Sequence, residues 1–209
     1  MNSPLVIAAQ VAGSIQNTLA ANATGTSTTE TAFQVNGNSI AGIAAKVSPV
    51  GIGNTGIFVA GQYALSTLAS TGLPFRVRLW GFAKSGGTQN LTIALYQVPA
   101  ASISGLTATS FTGATAIATT GAKAVNSTSG AFYLDVICQG VAESTTAVTL
   151  QGVQGVAVVN NSAVAAAAIT SVASLQGEPD FNFFVTSTLS GGNTGDVVTL
   201  SGLQIELVG

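Results

Sequence analysis

The feature that most constrains this chain is a pair of strand-like stretches between Pro74 and Val98, joined by a short polar connection. In the first stretch, alternate positions are apolar: Phe75, Val77 and Leu79. In the second, the same spacing recurs: Leu91, Ile93 and Leu95. A period of two is typical of strands that bury one face. The connection, SerGlyGlyThrGlnAsn at 85–90, has the chemistry of a turn between antiparallel neighbours, so the pattern predicts a β-hairpin.

The alternation returns later in the chain and sets the expected fold class. Residues 131–139 alternate in the same way, and so do 181–189 and 197–207, which flank the turn sequence SGGNTGD. Only 6% of the residues are charged, against about 25% in ordinary soluble domains, so few segments have the composition of amphipathic surface helices. We therefore predict an all-β protein, a jelly-roll-like antiparallel β-sandwich of about eight or more strands.

The N-terminal part differs from the rest of the chain. The polar sequence ATGTSTTET at 23–31 has the composition of a linker. We expect residues 1–30 to form an arm or extension and residues 31–209 to form the sandwich domain. Residues 11–25 are compatible with a helix or with an extended arm. The sequence leaves open whether the arm reaches a neighbouring subunit or packs on its own domain.

Charge and hydropathy narrow the possible partners. The chain has a net charge of -2, and its five basic residues are scattered: Lys46, Arg76, Arg78, Lys84 and Lys123. They form no positive stripe of the kind that binds phosphates, so we expect no nucleic-acid partner. The mean hydropathy is +0.54, but the most apolar stretch, residues 153–175, is interrupted by polar residues and is rich in alanine, so we expect no membrane span.

The residues that usually carry catalysis or bind metals are scarce. The chain contains no histidine and a single cysteine, Cys138, which we expect to be a small buried residue without a disulfide. The glycines of GIGNTG at 51–56 lack the lysine of a phosphate loop and indicate a turn. Glu178 and Asp180 flank Pro179; a solvated turn or an ion pair is favoured there over calcium binding. We predict no enzyme, cofactor or metal, while a glycan-cleaving pair of carboxylates brought together by the fold remains a third hypothesis.

The candidate contact residues lie on the polar side of the first strand. Arg76, Arg78 and Trp80 alternate with the apolar positions and therefore share one face. In a chain so poor in charge, the two arginines are candidates for specific contacts with Asp180 or Glu206, across a sheet or a subunit boundary. Together with Trp80, the two arginines form a stripe that could bind a sugar or a partner subunit. A lone tryptophan at a sandwich edge is more commonly a packing residue.

Two stretches resemble the paired strands of tailed-bacteriophage virion proteins. They are PFRVRLWGFAKSGGTQNLTIALYQ at 74–97 and DFNFFVTSTLSGGNTGDVVTLSGLQIEL at 180–207. In that family a strand ending in TrpGly leads through a polar turn to a threonine-rich strand, and a late hairpin closes the sandwich. The resemblance implies a jelly-roll or related sandwich that coats a capsid or belongs to a tail, usually as a trimer. It transfers no catalytic residue.

The resemblance and the composition together give the expected function. We expect a structural virion protein, a capsid decoration or cement protein that binds over junctions between major capsid protein subunits and stabilises the head. It would be a homotrimer on the capsid surface, made in the host cytoplasm. The alternatives are a tail- or fibre-associated β-sandwich and a carbohydrate-binding module.

Overall fold

The structure of the protein is a computed structural model. It describes residues 28–35, 39–40, 74–99, 102, 106–107, 109–128, 130–142, 148–160, 165–166, 168–169 and 181–207. The turn at 51–56 and the pair Glu178 and Asp180 lie outside the described residues, as does the stretch 11–25.

Within these ranges the regular elements are β-strands. In chain order they are β1 (Thr31–Ala32), β2 (Gln34–Val35), β3 (Ser39–Ile40), β4 (Phe75–Lys84), β5 (Gln89–Pro99), β6 (Thr115–Thr119), β7 (Lys123–Val125), β8 (Gly130–Ala142), β9 (Val148–Val159), β10 (Ala165–Ala166), β11 (Ala168–Ile169), β12 (Phe181–Leu189) and β13 (Val197–Leu207).

Two antiparallel sheets pack face to face. The six-stranded sheet has the order β1-β12-β5-β6-β11, with β7 also paired to β5; the five-stranded sheet has the order β10-β9-β8-β4-β13. Strands β2 and β3 form a separate two-stranded sheet. The prediction of an all-β sandwich is confirmed.

The predicted hairpin between Pro74 and Val98 is wrong, because its two strands belong to different sheets. β4 pairs with β8 and β13, whereas β5 pairs with β12, β6 and β7. The chain between β4 and β5 therefore crosses from one sheet to the other. Such an arch buries both apolar faces as well as a hairpin does, because each strand presents its apolar side to the space between the sheets.

The late pair of strands repeats this geometry. β12 lies beside β5 in the six-stranded sheet and β13 lies beside β4 in the five-stranded sheet. The predicted hairpin between 181 and 207 is therefore a second arch, stacked against the first. We call residues 85–88 the first arch loop and residues 190–196 the second arch loop. A directly paired hairpin is formed instead by β8 and β9.

Three features of the strands go beyond what alternation predicts. β9 is one continuous strand from Val148 to Val159, although it contains two glycines. The three-residue strand β7 pairs with the start of β5. β13 is interrupted by a register shift between Leu200 and Gly202, a β-bulge that alternation alone does not reveal.

The core lies between the two sheets and follows the predicted alternation. Its fully buried side chains come from both: Val77, Leu79, Leu91, Ile93, Leu95, Phe132, Leu134, Val136 and Cys138. Cys138 is buried as expected, and burial raises the pKa of its thiol to about 12. The thiol is therefore un-ionised at neutral pH.

Candidate interaction surface

The solvent-facing side of the five-stranded sheet carries the strongest candidate site. The even-numbered residues of β4 point away from the core and meet the odd-numbered residues of β8 across the ladder, so that Trp80 lies opposite Tyr133 and Arg78 opposite Asp135. We call this surface the outer face and define it by six side chains: Arg76, Arg78, Trp80, Phe82, Tyr133 and Asp135.

One half of the outer face is aromatic and exposed. In the described part of the chain, Trp80 and Phe82 are the large hydrophobic side chains with high exposure, at 36% and 40%. The Trp80 indole lies directly over Gly202 on β13, so a Cβ added at that glycine would overlap the ring. The glycine beside the bulge therefore gives the indole a backbone surface to rest on, which restricts the orientation of the ring.

The other half is ionic. The guanidinium of Arg76 donates two hydrogen bonds to the carboxylate of Asp135, one from Nε to Oδ1 at 2.7 Å and one from Nη2 to Oδ2. Tyr133 donates its hydroxyl to the same Oδ2 at 2.7 Å. The Asp135 side chain is 8% exposed and that of Arg76 is 40% exposed. The carboxylate thus lies beneath the guanidinium, and the pair presents its cationic member to solvent.

The titration of these groups reflects the same arrangement. Burial alone would raise the pKa of Asp135, but hydrogen bonds from Arg76 and Tyr133 and the positive charges of Arg76 and Arg78 outweigh it, so the pKa is lowered. Burial and the hydrogen bond to Asp135 raise the pKa of Tyr133. At neutral pH the outer face therefore carries an ionised aspartate and a neutral tyrosine.

The structure places Arg76, Arg78 and Trp80 on one face, as the sequence indicated, and it gives Arg76 an acidic partner that the sequence analysis did not name. Asp180 lies outside the described residues, and Glu206 occupies the register position opposite Arg76 on β13. The carboxylate that the structure describes in a hydrogen bond with Arg76 belongs to Asp135, which was not among the predicted contact residues. A signal was present: Asp135 is the one charged residue in the strand AFYLDVICQ, and Tyr133 shares its face.

A buried carboxylate fixes one end of the sandwich. Asp196 is 0% exposed and accepts four hydrogen bonds from the two arch loops and their borders. Ser85 Oγ and Gly86 N donate to Oδ1 at 2.9 and 2.8 Å, while Gln89 Nε2 and Asn193 N donate to Oδ2 at 3.1 and 2.7 Å. All four contacts are donors, so the site is built around the negative charge of the protein's own side chain.

Part of the solvent side of the six-stranded sheet is covered, in contrast to the outer face. Residues 28–33, which we call the strap, include the edge strand β1 and lie along β12: Thr31 pairs with Ser187 and Ala32 with Thr186. Glu30 accepts hydrogen bonds from Tyr96 Oη at 3.1 Å and from Thr186 Oγ1. Burial, followed by the charge and hydrogen bond of Glu30, raises the pKa of Tyr96 to about 12.

The strap and a loop together enclose an aromatic cluster. Ala32 packs with Val98, Leu106 and Phe184, and Tyr96 and Phe111 flank them. The rings of Tyr96 and Phe184 stack with centroids 5.1 Å apart, and Phe111 lies 5.3 and 5.6 Å from them. We call the surface formed by Tyr96, Val98, Leu106, Phe111 and Phe184 the groove. Aromatic side chains on this sheet are used for internal packing.

The arrangement of acidic groups bears on the enzymatic hypothesis. Three carboxylates have described side-chain contacts: Asp135 on the outer face, Glu30 at the groove and Asp196 between the arch loops. They lie at three separate places and each already accepts hydrogen bonds. Among the described residues no group of three metal-ligating side chains occurs, and no helix is long and apolar enough to cross a membrane.

Comparison of the chain with protein-family models, curated protein sequences and solved structures finds no match.

Proposed function

We propose that the protein is a structural component of a virion, a capsid decoration protein that docks on the major capsid protein through the outer face. The observation that carries the proposal is the exposure of Trp80 and Phe82 beside the Arg76–Asp135 pair. Tryptophan, tyrosine and arginine are the residues that most often dominate binding energy at protein interfaces. The outer face has all three within a few register positions.

The geometry of the face suits docking on a fixed surface. The indole is supported by Gly202 and the guanidinium by Asp135, so both side chains are ordered before a partner arrives. Side chains that are already ordered lose less conformational entropy on binding. The low content of charged residues is consistent with a protein that works within a larger assembly. Several copies bound to one shell would gain affinity by avidity.

The first test is location. Particles purified from cells that encode the chain are analysed by quantitative mass spectrometry, with the major capsid protein as the internal standard. A decoration protein is expected in a fixed ratio to the capsid subunit, in hundreds of copies per particle. Absence from the particles, or a few copies at the tail, contradicts the proposal.

The second test addresses the face itself. Particles stripped of the protein are incubated with purified wild-type chain, with Trp80→Ala and with Thr128→Ala, a control at an exposed polar position. We expect Trp80→Ala to weaken binding by at least about 30-fold, the loss typical of a hot-spot residue of about 2 kcal/mol. Thr128→Ala should bind as wild type does. Equal binding by all three chains excludes the outer face as the docking surface.

A carbohydrate-binding module is the second candidate, and one observation favours it. An exposed indole next to a guanidinium and a tyrosine hydroxyl offers a sugar both a stacking surface and polar groups. Trp80 is the only tryptophan in the chain, so its fluorescence reports directly on this site. A saturable change on titration with an oligosaccharide panel, weakened in Tyr133→Phe, which removes the hydroxyl but keeps the tryptophan, would favour glycan binding over capsid docking.

A further inference from the structure

We propose that the strap of one copy binds in the groove of a neighbouring copy, so that adjacent subunits are joined by exchanged strands. The inference rests on the proposed function, which places several copies side by side on a shell. It assigns the groove a ligand: residues 28–33 of a second copy of this chain.

The groove has the features of a built peptide-binding site. Along one side, β12 offers its edge to a further strand, and the Phe33 amide donates to Val185 O at 3.0 Å beyond the paired residues. The surface beside it is apolar, and Ala32 packs there at 0% exposure. This combination of strand addition with pockets for alternate side chains is a common way of binding an extended segment.

The strap is bound in one specified register. Its alternate residues serve two sides: Phe33 is fully buried, whereas Glu30 reaches the hydroxyls of Tyr96 and Thr186. A slip by one residue would reverse the two sides and take the carboxylate away from both donors. The chain has only seven acidic residues, and one of them determines this register. The Glu30 contacts therefore make the binding of the strap specific in register, including when a second copy supplies it.

Covalent connection does not restrict the strap to its own sandwich. Ile40, the end of the paired strands β2 and β3, precedes Phe75, the first residue of β4, by 35 positions (75 minus 40). A chain of that length can span at most about 120 Å, more than the width of a domain this size. The strap's described partners lie on β5 and β12. The two hydrogen bonds of Glu30 join residues that are 66 and 156 positions apart in the chain. These contacts are the same whichever copy supplies the strap.

Assembly favours the exchange. Neighbours fixed on a shell present their grooves at high effective concentration, and domain swapping needs no contact beyond those already present in one copy. A groove left empty would expose Tyr96, Phe111 and Phe184 to solvent. In the structure the strap of the same chain fills the groove, and exchange keeps every groove filled when the subunits close into a ring.

The test uses engineered cysteines at the register pair Thr31 and Ser187. Residues directly opposite in antiparallel strands have Cα atoms about 4.5–5.5 Å apart, within the range that a disulfide spans. Ser187 is fully buried, and cysteine is close to serine in size, so the replacement is conservative. A tagged chain carrying Thr31→Cys is co-expressed with an untagged chain carrying Ser187→Cys. After mild oxidation, the products are separated on a non-reducing denaturing gel.

We expect a disulfide-linked pair of one tagged and one untagged chain. Each single variant expressed alone, and the wild type with its buried Cys138, should give no linked product. The double variant Thr31→Cys/Ser187→Cys should give linked multimers. If the double variant runs as a single chain with an internal disulfide and the mixture gives no linked pair, strand exchange is excluded. Ala32→Cys with Thr186→Cys, the next register pair, repeats the test should the first pair fail to fold.

The outcome is separable from that of the proposed function. A protein that decorates particles but forms only intrachain disulfides retains its capsid role and lacks the exchange. A protein that forms interchain disulfides but is absent from particles retains the exchange and loses the capsid role.

Discussion

The two sheets of this sandwich use aromatic side chains in opposite ways. On the six-stranded sheet, Phe184 and Tyr96 are covered by the strap and by the loop that contains Leu106 and Phe111. On the five-stranded sheet, Trp80 and Phe82 remain at 36% and 40% exposure. The comparison distinguishes aromatic residues that stabilise the fold from those available to a partner. It also places the proposed docking surface and the proposed exchange on opposite sides of the protein.

Replacing one phenylalanine on each sheet with alanine should show the difference between the two sheets most clearly. Phe184→Ala removes a fully buried ring from the covered cluster, and we expect it to lower the free energy of unfolding by about 3–5 kcal/mol. Phe82→Ala removes an exposed ring and should cost less than about 1 kcal/mol. Chemical denaturation followed by circular dichroism measures both. Equal losses would show that Phe82 is a packing residue and would remove it from the docking surface.

The covered face also depends on a polar contact between the strap and the sheet. Glu30→Ala leaves the hydroxyls of Tyr96 and Thr186 without their acceptor, and we expect a loss of about 2 kcal/mol in the free energy of unfolding. Glu30→Gln keeps an acceptor oxygen and should retain more than half of that stability. Thermal unfolding of the two variants compares them. If both are as stable as wild type, the strap is not held by this carboxylate.

On the exposed face, the position of the indole can be tested without altering it. In Gly202→Ala the new Cβ would overlap the Trp80 ring, so the ring must move towards solvent. We expect the emission maximum of the single tryptophan to shift to longer wavelength, with a stability loss of about 1 kcal/mol. Gly191→Ala, where the nearest atom stands at 3.5 Å, is the matched control and should leave the spectrum unchanged. An unshifted spectrum in Gly202→Ala would mean that the indole does not rest on this glycine.

The smallest expected effect concerns the ion pair. The pKa of Asp135 is lowered in the folded protein, so its carboxylate contributes stability above the unfolded pKa, and that contribution is lost as the pH falls through the folded value. Because Arg76 is well exposed, Asp135→Asn should cost less than about 1 kcal/mol at pH 7. The difference in unfolding free energy between wild type and Asp135→Asn should become smaller as the pH falls below about 4, and denaturation at several pH values measures it. A difference that becomes larger in acid would contradict the assigned ion pair.

Alternation in the sequence predicted which side of each long strand faces the core. Val77, Leu79 and Leu91 are buried as expected, and Arg76 and Trp80 lie on the opposite side of β4. The same alternation could not predict which strands pair. A hairpin and an arch bury the same apolar residues, so the error over Pro74–Val98 follows from a pattern that both satisfy.

The contacts of the candidate sites were less predictable than the faces. Asp135 and Arg76 are 59 positions apart and meet only because β4 and β8 are adjacent. Phe184 occupies a position that alternation assigns to solvent, but the strap and a distant loop cover it. The turn sequence SGGNTGD indicated a loop, and nothing local to it indicated that its aspartate would bind the other glycine-containing loop. Each of these contacts depends on tertiary neighbours.

The Asp196 carboxylate has a consequence for biosynthesis. Its bonds to Ser85, Gly86 and Gln89 reach back 107 to 111 positions, so a nascent chain on the ribosome carries those donors without an acceptor until synthesis has passed residue 196. That end of the domain forms late, and the newly made strands before it depend on the arrival of the segment 181–207. A message or protease that shortens the product by even its last two strands would leave a chain unable to complete either sheet.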